Sequence, residues 1–224
     1  MSRRAGWSVG LLLLVGGRCL AADPVTVAYF PLGVGNWWAY EELDDDGKTL
    51  SRETWTLVGQ EATQPTEFHL RSSAKRLDAL AGSRRHWEEH EYLRVTNEGL
   101  HKRYPAGREA ALEVMLLKEP VRLGTHWRDA QGNCEVISDD HPCSGPRGEV
   151  PGCLVVVCRL GEPASTVVTS TYARGVGMVR QEVEVLQLLP ALAGGGAGGI
   201  LPCDTSHGGR SVLRLTGYHV DRPR

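Results

Sequence analysis

The chain has 224 residues, with 25 Lys and Arg against 27 Asp and Glu, and its formal net charge is −2. A mildly acidic chain without a basic stripe is a poor candidate for binding nucleic acid or an anionic membrane surface. A chain of this length and ordinary hydrophobic content can bury a core, as one domain or at most two.

The first residues have the three-part layout of a secretory signal peptide. Arg3 and Arg4 precede an apolar run from Trp7 to about Gly17, and small residues follow it. An apolar run of about 11 residues is too short to span a bilayer, so we expect residues 1–21 to be removed during export.

The remaining chain, residues 22–224, is expected to be a single β-rich domain located in the periplasm or outside the cell. A lipoprotein signal has a small, uncharged residue before its cysteine, whereas Arg18 precedes Cys19. A lipid-anchored outer-membrane form is therefore not expected. No transmembrane segment is predicted in the mature chain.

Apolar and polar residues alternate with period two through most of the mature chain, which is typical of half-buried β-strands. The clearest hairpin is NWWAYEEL followed by KTLSRETWTLVGQ, with an Asp-Gly turn at Gly47 between them. The only helix candidate is AKRLDALAGS, residues 74–83. Some ten strands without an internal repeat predict an all-β, antiparallel fold with at most one short helix. The glycine-rich stretch 190–210 is predicted to be a loop inserted between strands.

The pentapeptide HWEEH, residues 86–90, matches H-x-x-E-H, a zinc-binding signature of one class of peptidases. That motif works on a helix, which brings residues four apart onto one face. Here the chain continues as EYLRVTNEGLHKRY, the pattern of a hairpin, and on a strand His86, Glu88 and His90 would share a polar face. We therefore expect neither a protease nor a metal cofactor. The alternative is a metal-dependent hydrolase that uses these three residues.

Five cysteines remain after removal of the signal peptide, so at least one cannot pair within the chain. Cys153 and Cys158 would lie about 16 Å apart along one strand at ~3.3 Å per residue, which is too far for a disulfide. CEVIS and CLVVVCRL are the expected arms of a hairpin around SGPRG, where facing residues have nearly constant sums of residue numbers. This predicts nested disulfides Cys134–Cys158 and Cys143–Cys153, with Cys203 left over. The alternatives are that Cys203 captures Cys143 or Cys134, or that cysteines and a neighbouring histidine bind zinc.

Two phrases, YFPLGVGNWWAYEE from Tyr29 and TYARGVGMVRQE from Thr171, are distinctive. They resemble the opening Y-F-P-L-x-x-G-N-x-W-x-Y and the closing Y-x-x-G-V-G-x-V of a broad, mostly uncharacterised group of secreted bacterial β-rich domains. The resemblance covers roughly residues 28–188. It implies a strongly curved antiparallel sheet or half-barrel, similar to those that bind acyl chains in the bacterial envelope, and it implies no catalytic residues. The glycine-rich insertion and most of the cysteines depart from the pattern.

Adjacent Trp37 and Trp38 should point to opposite faces of their strand, so that one anchors the core and the other covers an edge or lines a concave surface. We predict a ligand-binding surface made of Trp37, Trp38, Tyr40 and Trp55, with core filling as the alternative. The predicted function is that of a non-catalytic exported envelope protein. It would be a binding or scaffold module for a hydrophobic or glycan ligand or for a protein partner, without a cofactor.

Overall fold

Twelve strands and one short helix form the regular structure of the residues that the computed structural model describes, which are 25–62, 64, 66–77, 86–105, 112–161, 166–186 and 209–221. The helix, α1, covers Val25–Tyr29. The strands are β1 (Trp37–Leu43), β2 (Thr49–Gln60), β3 (Glu67–Arg76), β4 (His86–Val95), β5 (Gly99–Tyr104), β6 (Leu112–Lys118), β7 (His126–Arg128), β8 (Gly132–Gly145), β9 (Gly148–Leu160), β10 (Thr166–Ala173), β11 (Gly177–Val185) and β12 (Arg210–His219).

All twelve strands belong to one antiparallel sheet, in the order β6-β5-β4-β3-β2-β1-β12-β11-β10-β9-β8-β7. The pairing of β1 with β12 joins the two halves of the chain. The sheet curves until it is nearly closed, and we call this shape the barrel. The predicted all-β, curved antiparallel fold is confirmed, with twelve strands where about ten were expected.

The two edge strands, β6 and β7, are joined by side chains. The indole of Trp127 donates a hydrogen bond to the carbonyl oxygen of Met115 at 3.0 Å, and the carboxylate of Asp129 accepts one from the Met115 amide at 3.1 Å. The ammonium group of Lys118 donates to the carbonyl oxygen of His126 at 3.3 Å. These bonds close the barrel between β6 and β7, the two strands at which the backbone ladder ends. We call this junction of β6 and β7 the seam.

The segment before β1 closes one end of the barrel. The amide of Gly175 donates to the carbonyl oxygen of Ala28 at 2.6 Å, and the ring of Phe30 packs 5.0 Å from that of Trp38. A Cβ at Gly177 would lie 2.8 Å from the indole nitrogen of Trp38, and the φ of this glycine is +113°. The closing G-V-G phrase therefore makes room for the tryptophan of the opening phrase.

The helix candidate at residues 74–83 is wrong where the structure describes it. Residues 74–76 are the last residues of β3, and the single short helix lies at Val25–Tyr29 instead. Ala74 is 2 % exposed and pairs with Glu53 on one side and Trp87 on the other, so sheet pairing outweighs local helix propensity. Residues 78–83 lie outside the described residues.

Two disulfides cross-link the hairpin of β8 and β9, which turns at residues 146–147. Cys134 faces Cys158 in the ladder and is bonded to it. Cys143 is bonded to Cys153, and this bond crosses the ladder diagonally because the register shifts repeatedly near it. These are the two pairs expected from the sequence. Cys203, residues 190–208 of the glycine-rich stretch and residues 1–21, the predicted signal peptide, lie outside the described residues.

Candidate ligand-binding cavity

The barrel encloses a cavity of about 1020 Å³. Small-molecule sites typically occupy roughly 300–1,000 Å³, so this cavity has room for a ligand. Arg76, Tyr104 and Leu160 line it, and each is the last residue of its strand at the same end of the barrel. Phe30 lines it from the segment that closes the opposite end. The cavity thus extends from a closed floor to the end of the barrel where β3, β5 and β9 finish.

The two sides of the cavity differ in polarity. Strands β6, β9 and β10 contribute an apolar wall that includes Val114, Leu116, Val156, Leu160 and Val168. Strands β2, β4 and β5 contribute a wall, which we call the charged wall, made of Glu53, Trp55, Glu89, Glu91, Lys102 and Tyr104. An amphipathic molecule could therefore satisfy both sides at once.

Glu53 is half-buried, and its carboxyl group is held by two neutral donors. The indole of Trp55 donates to its Oε1 at 2.5 Å, and the hydroxyl of Ser72 donates to the same oxygen at 2.8 Å. Burial raises the pKa of Glu53, although these two hydrogen bonds and the charge of Lys102 act against the shift. The carboxyl group therefore ionises less readily than it would in water.

Lys102 supplies a fixed positive charge in the charged wall. Its Nζ lies 2.7 Å from Oε2 of Glu91 and 5.0 Å from the ring centroids of both Trp55 and Tyr104. Burial acts to lower the pKa of Lys102, but Tyr104, Glu91 and Glu53 outweigh it and the pKa is raised. A nucleophilic lysine must be unprotonated, so Lys102 is an ion-pair partner rather than a nucleophile.

Glu89 faces the cavity without a partner of its own among the described residues. It lies on β4, two residues from Glu91, and is exposed to the cavity. Partial burial raises the pKa of Glu89, Glu91 raises it further, and Lys102 acts against both. Within the described part of the chain, no hydrogen bond or ion pair to the Glu89 carboxylate is seen.

The four aromatic residues predicted to bind ligand do not form one surface. Trp55 lines the cavity, whereas Trp38 and Tyr40 are buried in the core below it, at 0 % and 1 % exposure. Trp37 points to the outer face and is 37 % exposed. The two adjacent tryptophans do point to opposite faces, and Trp38 is the one that anchors the core. For Trp38 and Tyr40 the core-filling alternative describes their surroundings better.

The residues of the metal alternative lie together on β4 without forming a three-residue cluster among the described residues. His86 and His90 both border the cavity from β4, and Oε1 of Glu88 is 3.3 Å from Nε2 of His90. His90 has His69 as a second neighbour, and the Nε2 atom of His69 lies 2.9 Å from the Nδ1 atom of His90. In the residues that the structure describes, no group of three His, Cys, Asp or Glu side chains is arranged to hold a metal ion.

Sequence reasoning missed the charged wall. On β4, Glu89 and Glu91 share a face with Trp87 and Leu93, which is the inner face of the sheet. Charged residues that interrupt an otherwise apolar face of a strand were the available signal, because buried charges are rare unless they are paired or functional.

Comparisons with known proteins add little to this geometry. No protein-family model matches the chain, and a search of curated proteins finds no match. Among solved structures, a candidate lipoprotein from Parabacteroides distasonis is 13 % identical, with a TM-score of 0.48 over 86 % of this chain and 98 % of that one. A candidate exported protein with a YmcC-like fold from Bacteroides fragilis is 12 % identical, with a TM-score of 0.43 over 86 % of this chain and 99 % of that one. Likeness at this level leaves the function to be inferred from the residues of the chain itself.

Within the described residues, no helix has the length and apolar character needed to cross a membrane.

Proposed function

We propose that this chain is an exported, non-catalytic binding protein that holds an elongated hydrophobic ligand inside its barrel. The observation that carries the proposal is the cavity of about 1020 Å³ with its long apolar wall. Export is proposed from the signal-peptide pattern of residues 1–21. The absence of catalysis is proposed from the chemistry of the charged wall, where Lys102 is held as a protonated ion-pair partner.

A hydrophobic ligand fits this cavity better than a glycan. Sugars are commonly held by aromatic rings that present a free face, whereas the ring of Trp55 is covered on one side by Tyr40 at 4.9 Å and faces the ammonium of Lys102 at 5.0 Å. Val156, Leu160 and Val168 on the opposite wall offer apolar contacts, and burying these contacts would supply the binding free energy.

Filling the cavity tests the proposal. Val168 lines the cavity from β10, and Val167, the next residue on the same strand, points to the opposite face. In Val168→Trp the indole would occupy ligand space, so binding of the neutral fluorescent probe N-phenyl-1-naphthylamine should weaken at least about tenfold, or ~1.4 kcal/mol. The matched variant Val167→Trp should bind the probe like the wild type. Probe binding that is equal in the two variants would contradict an interior site.

A further inference from the structure

The charges of the described residues that line the cavity do not balance. Four carboxyl groups line it, from Glu53, Glu89, Glu91 and Asp129, against the two fixed cations of Lys102 and Arg76, and only Lys102 belongs to the charged wall. The ammonium of Lys102 is 2.7 Å from Glu91, so these two groups neutralise each other. In the charged wall, the carboxyl groups of Glu53 and Glu89 are left without an ion-pair partner among the described residues.

Among the described residues, neither remaining carboxyl group has an ion pair of its own, although the charge of Lys102 acts on both from its position beside Glu91. The partners of Glu53 are the neutral indole of Trp55 and the neutral hydroxyl of Ser72. The charged groups that act on the pKa of Glu89 are Glu91, which raises it, and Lys102, which lowers it. On the seam side, Asp129 is a further carboxylate, and the hydrogen bonds that it accepts come from backbone amides.

We propose that the ligand is an amphipathic amine, with an alkyl chain against the apolar wall and an ammonium group that pairs with Glu53 and Glu89. This inference rests on the proposed function and names the chemical class of the ligand. An ammonium group would supply the missing positive charge and donate hydrogen bonds to two carboxylates. A carboxylate or phosphate head group would instead add negative charge beside Glu53 and Glu89, which is unfavourable in a site of low dielectric constant.

The ionisation behaviour of the two carboxyl groups agrees with this assignment. Burial is the main cause that raises the pKa of Glu53 and of Glu89, which means that the empty cavity disfavours their charged forms. A bound ammonium group would stabilise those charged forms.

A ligand series on the wild-type protein tests the proposal. Dodecylamine, dodecanol and dodecanoic acid carry the same chain length with a cationic, a neutral and an anionic head group, and each can be titrated against bound N-phenyl-1-naphthylamine at pH 7. We expect the amine to displace the probe at least about tenfold more tightly than the acid, and more tightly than the alcohol, because charge-assisted hydrogen bonds are stronger than neutral ones. An acid or alcohol that binds as tightly as the amine would overturn the inference while leaving the proposed function intact. If the probe itself fails to bind, the proposed function falls, and this inference with it.

Variants of Glu53 and Glu89 then test whether these two residues cause the preference for the amine. In the double variant Glu53→Gln/Glu89→Gln, the advantage of the amine over the alcohol should fall at least about fivefold, since amides cannot pair with an ammonium group as ions. The control is Glu135→Gln on β8, where the glutamate is exposed on the outer face. The control should keep the full preference, and an undiminished preference in the double variant would overturn the assignment to these two residues. The ligand series on the wild type decides the ligand class even if the double variant fails to fold.

Discussion

The residue Glu53 lowers the stability of the barrel while contributing a carboxyl group to the candidate ligand-binding cavity. A carboxyl group in the interior loses its hydration, and the two neutral hydrogen bonds from Trp55 and Ser72 offset only part of that cost. The pKa of Glu53 is raised by burial above its ordinary value of 4.5. An acid whose pKa is higher in the folded than in the unfolded state favours folding below its unfolded pKa, and this contribution is lost as the pH rises through the folded pKa.

Glu53→Gln should therefore change the pH dependence of stability. The glutamine Oε1 can accept the same two hydrogen bonds, but it never ionises. We expect the variant to gain stability relative to the wild type as the pH rises from about 4.5 to 8, with little difference at pH 4. Urea unfolding at pH 4, 6 and 8 measures this, and Glu135→Gln serves as the exposed control. A Glu53→Gln protein that is as destabilised at pH 8 as at pH 4 would contradict the account.

At the scale of strands, the seam is the element on which closure of the barrel depends. Oδ2 of Asp129 accepts the hydrogen bond from the Met115 amide across the seam, while its Oδ1 accepts two more from the amides of Gln131 at 2.9 Å and Gly132 at 3.3 Å. One carboxylate thus fixes the turn after β7 and ties that turn to β6.

Removing the Asp129 carboxylate should loosen the seam selectively. Asp129→Ala leaves three amides without their acceptor, and we expect a loss of about 1–3 kcal/mol in the free energy of unfolding. Asp129→Asn retains one acceptor oxygen and should lose less. In both variants the Met115 amide should exchange its hydrogen faster, as followed by hydrogen–deuterium exchange.

The control for the seam is Asp139→Ala, which removes a carboxylate bond to the Leu123 amide, away from β6. It should leave the exchange of Met115 unchanged. Unchanged exchange at Met115 in Asp129→Ala would show that the seam does not depend on this residue.

The elements that the sequence predicted well are those whose contacts are local. The β4–β5 hairpin follows from the alternation of apolar and polar residues and from the turn before Gly99. In the β8–β9 hairpin, counting residues outward from the turn places Cys134 opposite Cys158. The diagonal bond between Cys143 and Cys153 depends on register shifts that no pattern in the sequence marks. That Cys203 remains unpaired stays a prediction.

The charged wall could not be predicted in the same way, because it depends on how strongly the sheet curves. Trp55 on β2 and Lys102 on β5 are three strands apart, which is about 14 Å in a flat sheet at ~4.8 Å per strand. In the barrel, the Lys102 ammonium lies 5.0 Å from the Trp55 ring. Curvature of this degree is a property of the whole sheet, so local patterns identified the strands but not the residues that meet inside.

At the scale of the whole molecule, one nearly closed sheet and one N-terminal segment together create a cavity with a floor. Phe30 forms part of the floor, and the ends of β3, β5 and β9 border the opposite end. This arrangement leaves an interior volume that the side chains of the described residues do not fill. Interiors of folded domains are otherwise close-packed, so an unfilled volume of about 1020 Å³ is best explained by a ligand.

Native mass spectrometry of the protein extracted from the cells that make it can show whether the cavity holds a ligand. The wild-type protein and Val167→Trp should each carry one non-covalently bound hydrophobic or amphipathic molecule per chain, and Val168→Trp, whose new indole fills the cavity, should carry none. Wild-type protein that is free of any bound molecule, or Val168→Trp carrying the same molecule as the wild type, would contradict the account.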